Sequence, residues 1–297
     1  MATVGQSAVL AESTWAGRRR EGVRWRLWFG LRRNGLAWVA ITFLVVAAGA
    51  AILASTIAPH EPTAMHRQAK FASPDTTYPF GTDEFGRDTL SRLIHGGRIS
   101  LSVGFSSVCA ALLFGIPLGL AGGFFHRLDN PIMRVMDVFL TFPDILLAIA
   151  IMAALGPTVR NVMIAIAIIN VPIFARITRS LVLGVKELAY VEAARTLGRN
   201  DVGIIARHIL PNILSPLIVQ ATLSLGFAIL TEAALSFLGL GTQPPTPSWG
   251  LMLNTARNYM EYSPWVAIFP GVAIFLTVFS FNILGDFFRD VLDPRVK

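Results

Sequence analysis

Two stretches leave this chain little freedom in how it can fold. Leu36 to Ala58 contains no charged residue, and neither does Ile99 to Phe125. Each is at least as long as the roughly 20 apolar residues a helix needs to cross a bilayer. In hydrocarbon every backbone N–H and C=O must find an internal partner, so such runs favour helices. Similar stretches recur, and spans are expected at 36–58, 98–124, 134–155, 158–176, 212–240 and 264–288. Gly156-Pro157 separates the third from the fourth, which makes that pair a helical hairpin. Only 14% of residues are charged, with a mean hydropathy of +0.59, whereas a soluble domain carries about 25% charged residues. The expected fold class is all-α: a polytopic membrane protein with six transmembrane helices in membrane lipid.

The positive charges orient it. Segment 1–35 holds Arg18, Arg19, Arg20, Arg24, Arg26, Arg32 and Arg33. If that tail is cytoplasmic, six spans return residues 291–297 to the same side, which then holds 18 of the 25 Lys and Arg residues. The net charge of +7 thus reads as a topology signal. The basic residues have no folded basic domain to sit on, so no nucleic-acid partner is expected. The first apolar run exceeds the roughly 7–15-residue core of a cleaved signal peptide, and a retained anchor is expected. Residues 1–17 are small and polar and read as a tail.

Within the spans, Ala111, Gly115, Gly119 and Gly123 recur every fourth residue. That places them on one helical face and lets a neighbouring helix approach closely. Pro117 should bend the same helix. Cys109, the single cysteine, reads as a small apolar packing residue. Asn170 and Pro172 mark a kink in which the amide can satisfy a freed backbone group. Asp144 and Glu232 are the acidic residues deepest in the spans and, with Asn170 and Pro172, are candidates to line a solute pathway. Asp144 follows Phe142-Pro143 and can instead face a helix end or water; Glu232 can instead reach the surface. Neither has an evident cationic partner in its span, which argues against an ion-coupled transporter.

The loop 59–97 is long. Its Gly81–Asp88 stretch is rich in turn formers, and Leu90, Leu93 and Ile94 predict a short amphipathic helix at the membrane face before the second span. Segment 241–263 contains Pro244, Pro245 and Pro247 and can form an outer cap, with Trp249, Tyr259 and Tyr262 suited to the interface. The loop 184–211 predicts two helices. Leu188–Leu197 forms the first, Gly198 permits the turn, Asp201 caps the second, and Pro211 marks the start of span five.

Glu192-Ala193-Ala194-Arg195-Thr196-Leu197-Gly198, followed by His208-Ile209-Leu210-Pro211, resembles the EAA loop of permease subunits of bacterial ABC importers. Three more stretches resemble the dipeptide, oligopeptide, glutathione and nickel branch of that family: Phe80 to Arg92, Leu235 to Gly250, and Phe281 to Pro294. The four occur in order from about residue 30 to the end. His208 stands where the wider family has an apolar residue.

The resemblance implies a C-type permease with the type I importer fold, whose core spans 98–290. It implies a homologous B-type permease as partner, two ATPase subunits that bind ATP and Mg, and an extracytoplasmic solute-binding protein. It also implies the bacterial cytoplasmic membrane as location. Glu192, Ala193, Ala194, Gly198, His208, Leu210 and Pro211 become the candidates for coupling to the ATPase. The sequence contains no Gly-x-x-x-x-Gly-Lys-Ser/Thr phosphate loop and no His-Glu-x-x-His motif. The chain is therefore expected to be non-catalytic, with no cofactor or metal of its own.

Overall fold

A computed structural model describes Leu31 and residues 34–292. The tail at 1–17 lies outside the described residues, as do the last residues, 293–297. Among the described residues the fold is helical. Helix α1 (Gly35–Ile52) begins where the Asn34 side chain accepts the Ala37 N–H, and it continues past Leu53 as the short α2 (Ala54–Ile57). Then come α3 (Thr89–Phe124), α4 (His126–Leu140), α5 (Asp144–Leu155) and α6 (Val159–Lys186). They are followed by α7 (Ala189–Thr196), α8 (Asp201–Ile204), a π-helical turn (Ile205–Ile209) and α9 (Leu210–Phe237). The last two are α10 (Trp249–Ala256) and α11 (Trp265–Leu292). Five helices are long and apolar enough to cross a membrane, or six if the bent pair α4 and α5 counts as one.

The core runs along the seam between α3 and α6. Here the four-residue repeat of small residues does its packing. A Cβ on Gly115 would lie 2.7 Å from the Phe174 Cβ, and one on Gly119 would lie 2.5 Å from the Ala175 carbonyl oxygen. One on Gly123 would lie 2.7 Å from the Val182 Cβ. Ala111, Phe174 and Val182 are fully buried or nearly so. The two backbones are therefore closer than any side chain at 115, 119 or 123 would permit.

Several expectations change. The third span is not one helix: α4 and α5 meet at 90° across Thr141–Pro143. Proline disfavours helical geometry in the residue before it, so Phe142-Pro143 breaks the span. The hairpin at Gly156 is present between α5 and α6, with φ +88° at the glycine. The amphipathic stretch at 89–97 is not a separate helix but the first turns of α3. At 36 residues and about 1.5 Å per residue, α3 is longer than the roughly 30 Å hydrocarbon core. Cys109 is exposed on the outside of the chain rather than packed within it. Asn200, not Asp201, caps α8, accepting the Gly203 N–H at 3.0 Å.

The loop preceding α3 is held by buried charge. Asp83 accepts the Phe85 and Arg87 N–H groups at 2.9 Å and pairs with Arg87 Nε at 2.6 Å and Arg92 Nε at 3.4 Å. Asp88 caps α3 through the Leu90 and Ser91 N–H groups. Glu84 meets Arg87 Nη2 at 3.1 Å through one oxygen, while its other oxygen is buried without a partner.

Burial holds the Glu84 carboxyl above the ordinary carboxylate range, and Asp83 adds to that shift. The folded loop therefore retains a proton at a pH where the unfolded loop has released it. The associated stability is full below the ordinary carboxylate range and is lost as pH rises through the raised value. Glu84→Gln is expected to flatten the pH dependence of thermal unfolding across that window. An unchanged slope would remove Glu84 as its source.

Candidate coupling loop and buried polar sites

The loop 184–211 is built from a short helix, a sharp turn and a long helix. Helix α7 ends in a Schellman turn: the Gly198 N–H donates to the Arg195 carbonyl at 3.0 Å, and the Arg199 N–H donates to the Ala194 carbonyl at 3.2 Å. Gly198 has φ +76°, in the left-handed region that glycine enters without a Cβ clash. Nothing lies within 4 Å of where its Cβ would be, so only the backbone requires glycine there.

The second helix of the loop is not separate from the fifth span. Helix α8, the π-turn and α9 run on continuously. Proline at 211 has no N–H and its ring crowds the carbonyl four residues earlier, so the wider π-turn immediately before it is a physically reasonable accommodation.

The structure divides the candidate coupling residues by burial. Glu192, Ala193 and Gly198 are exposed, and so is Pro211 in the first turn of α9. Ala194 is buried, as are its neighbours Val191, Ile204 and Ile209. Its small side chain thus packs into the core cluster with them. Leu210 is half-buried and packs on the same core. His208 is half-buried, with its ring centroid 6.3 Å from that of Tyr190 and its Nε2 enclosed. The outer face instead offers Leu188, Tyr190, Leu197 and Val202, all large and exposed.

Ties to the spans fix this loop. The Arg195 guanidinium lies 5.7 Å from the centre of the Phe124 ring, and Lys186 Nζ donates to the Gly123 carbonyl at 3.0 Å. On α6, Arg179 grips both Asp129 oxygens and Arg176 pairs with Asp137, which latches α4 to the same end of the bundle. Sequence reasoning missed these pairs. Asp129 and Arg179 are 50 positions apart, so no local spacing joins them.

The intramembrane candidates also separate. Asp144 is exposed at the N-terminal first turn of α5, where a negative charge suits the helix dipole. Asn170 and Pro172 are buried within the chain. The Asn170 Nδ2 donates to the Ile166 carbonyl at 2.8 Å, not to the carbonyl that Pro172 leaves free.

Glu232 does not reach the surface: it is 1% exposed. Its two oxygens accept from Ser100 Oγ and Ser236 Oγ, both at 2.8 Å. Trp249 is buried too, rather than lying at an interface, and its Nε1 donates to the Leu93 carbonyl at 2.9 Å. Segment 241–263 thus contains a seated helix, α10, at the end of α9 opposite the 184–211 loop.

Long apolar helices, with the 184–211 loop at one end and a seated segment at the other, describe a multi-pass membrane protein. The family described as "Binding-protein-dependent transport system inner membrane component" matches residues 113–297. The N-terminal TM domain of oligopeptide transport permease C matches residues 24–74. The chain is 51% identical over 229 residues to the dipeptide transport system permease protein DppC of Alkalihalophilus pseudofirmus, across 77% of this chain and 75% of that one. It is 44% identical over 272 residues to the glutathione transport system permease protein GsiD of Escherichia coli, across 91% and 90%. A solved inward-facing structure of the MetNI methionine ABC transporter shares the fold, with a TM-score of 0.58 and 20% identity over 67% of this chain and 95% of that one. This chain therefore belongs to the binding-protein-dependent transport system inner membrane components, and it is a permease subunit of an ABC importer.

Proposed function

We propose that this chain forms half of the translocation channel of an importer for dipeptides, oligopeptides or glutathione, paired with a homologous permease. The names of its relatives favour that solute class. Two ATPase subunits bind ATP and Mg and hydrolyse the nucleotide, and an external solute-binding protein delivers the cargo. The observation that carries this reading is the 184–211 loop, in which a short helix turns at Gly198 into a second helix that runs without a break into a span. Glu192, Ala193 and Gly198, with the apolar side chains beside them, face the ATPase; Ala194, His208 and Leu210 brace the loop from within. Asp144, exposed at a helix end, is the candidate for contact with the solute path.

In this reading both termini, the 126–133 segment (the start of α4, not a turn) and the 184–211 loop are cytoplasmic, while 59–97 and 241–263 lie outside. Single cysteines in a Cys109→Ala chain test it. Gln243→Cys is expected to react with an impermeant maleimide in intact cells, and Val202→Cys only after permeabilisation. Reaction of Val202→Cys in intact cells would reverse the topology. Co-purification of a second permease and ATPase subunits tests the assembly. The ligand carried by the cognate solute-binding protein identifies the cargo.

A further inference from the structure

The carboxylate of Glu232 sits among polar groups that lead outward in two directions. Ser100 Oγ, on α3, donates to one Glu232 oxygen and accepts the Trp249 backbone N–H at 3.3 Å. Ser236 Oγ, one turn along α9, donates to the other and accepts the Thr242 backbone N–H at 3.3 Å. Each hydroxyl therefore has its donor turned to the acid and an acceptor site turned to the chain that follows α9. Ser100, Glu232, Ser236, Thr242 and Trp249 are all buried.

The glycines around this hub allow the close fit. A Cβ on Gly241 would lie 2.0 Å from Ser236 Oγ, and one on Gly250 would lie 2.6 Å from the Ala233 carbonyl oxygen. On the facing helix, a Cβ on Gly97 would lie 3.0 Å from the Trp249 ring.

We propose that Glu232 is a positioning residue for transport: through Ser100 and Ser236 it fixes the backbone of 241–249 against α3 and α9, so that the 241–263 segment moves with those helices. A carboxyl group suits this task because each of its two oxygens meets one serine hydroxyl. The transport part rests on the external placement of 241–263 proposed above.

The test uses the full transporter reconstituted with its partner permease, ATPase subunits and binding protein. Glu232→Met keeps the bulk and removes both acceptors. It is expected to speed hydrogen exchange in the 241–250 backbone by about tenfold or more and to lower maximal uptake. Glu232→Gln, which keeps an acceptor and a polar contact to each serine, is expected to restore both towards the parent. If Glu232→Met fails to assemble, Ser236→Ala and Ser100→Ala replace it, with faster exchange expected at Thr242 and Trp249 respectively. Parental exchange in the variants would overturn the positioning role. Faster exchange with parental uptake would overturn its part in transport. Maleimide labelling at Gln243→Cys is read separately, so a wrong placement of the segment is distinguished from a wrong role for Glu232.

Discussion

Gly198→Val is expected to abolish coupled uptake while leaving the membrane helices inserted. The glycine adopts φ +76° with open space around it. A Cβ there meets nothing within 4 Å, so the expected effect comes from backbone strain. An L-residue in that region costs about 1–2 kcal/mol, more for a β-branched side chain. One to two kcal/mol shifts a two-state population by a factor of about 5–30. That shift unwinds the turn that sets α7 against α8, and with it the face proposed above to meet the ATPase. ATP closure can move the permease only through a difference in contact energy between two states of that face. Asn tolerates the left-handed region, so Gly198→Asn is expected to keep most of the uptake. Uptake and ATPase stimulation by the loaded binding protein are measured in proteoliposomes. Parental values for Gly198→Val would show that the turn does not govern coupling.

Gly119 controls the fold as Gly198 controls the loop. Its missing Cβ would lie 2.5 Å from both the Ala175 carbonyl oxygen and the Thr178 Cβ. The first of these is backbone and cannot turn aside, so a side chain must push α6 away from α3. Overpacking of this kind costs about 1–3 kcal/mol, or roughly 2–4 °C of thermal stability per kcal/mol at this chain size. Gly119→Ala is expected to melt several degrees below the parent, and Gly119→Leu to fail to accumulate. Gly184, later on α6, has nothing within 4 Å of its Cβ position. Gly184→Ala is the control, expected to be neutral or slightly stabilising. Equal melting of Gly119→Ala and Gly184→Ala in detergent would refute the close seam.

What was legible in the sequence follows from the range over which each signal acts. Apolar length is a local property, and so the spans could be read, as could the glycine face of α3. The Gly198 turn was legible because positive φ is written in a single residue. The break at Phe142-Pro143 carried a local signal too, but the apolar run on both sides of it reads as one span. Burial was harder. Ala194 looks like a docking residue by size, and only the three-dimensional path of α7 turns it towards Ile204 and Ile209. Glu232 was visible as an acid in a span, but its partner Ser100 is 132 positions away. Its meaning depends on tertiary packing that no periodicity records. Trp249 was assigned to an interface by residue type; two glycines and a carbonyl on α3 bury it instead.

The continuity of Asp201–Phe237 has a mechanical consequence. Its 37 residues form a shaft about 55 Å long, with the loop of Gly198 at one end and the Glu232 hub near the other. A tilt of about 5° about the loop end would swing the far end by about 5 Å if the shaft stayed straight. That is about the width of one helical turn. Its points of compliance are the π-turn at Ile205–Ile209 and the proline at 216, both in its first half. Beyond Pro216 no further proline interrupts the helix, and both Glu232 and Ser236 lie on that uninterrupted stretch.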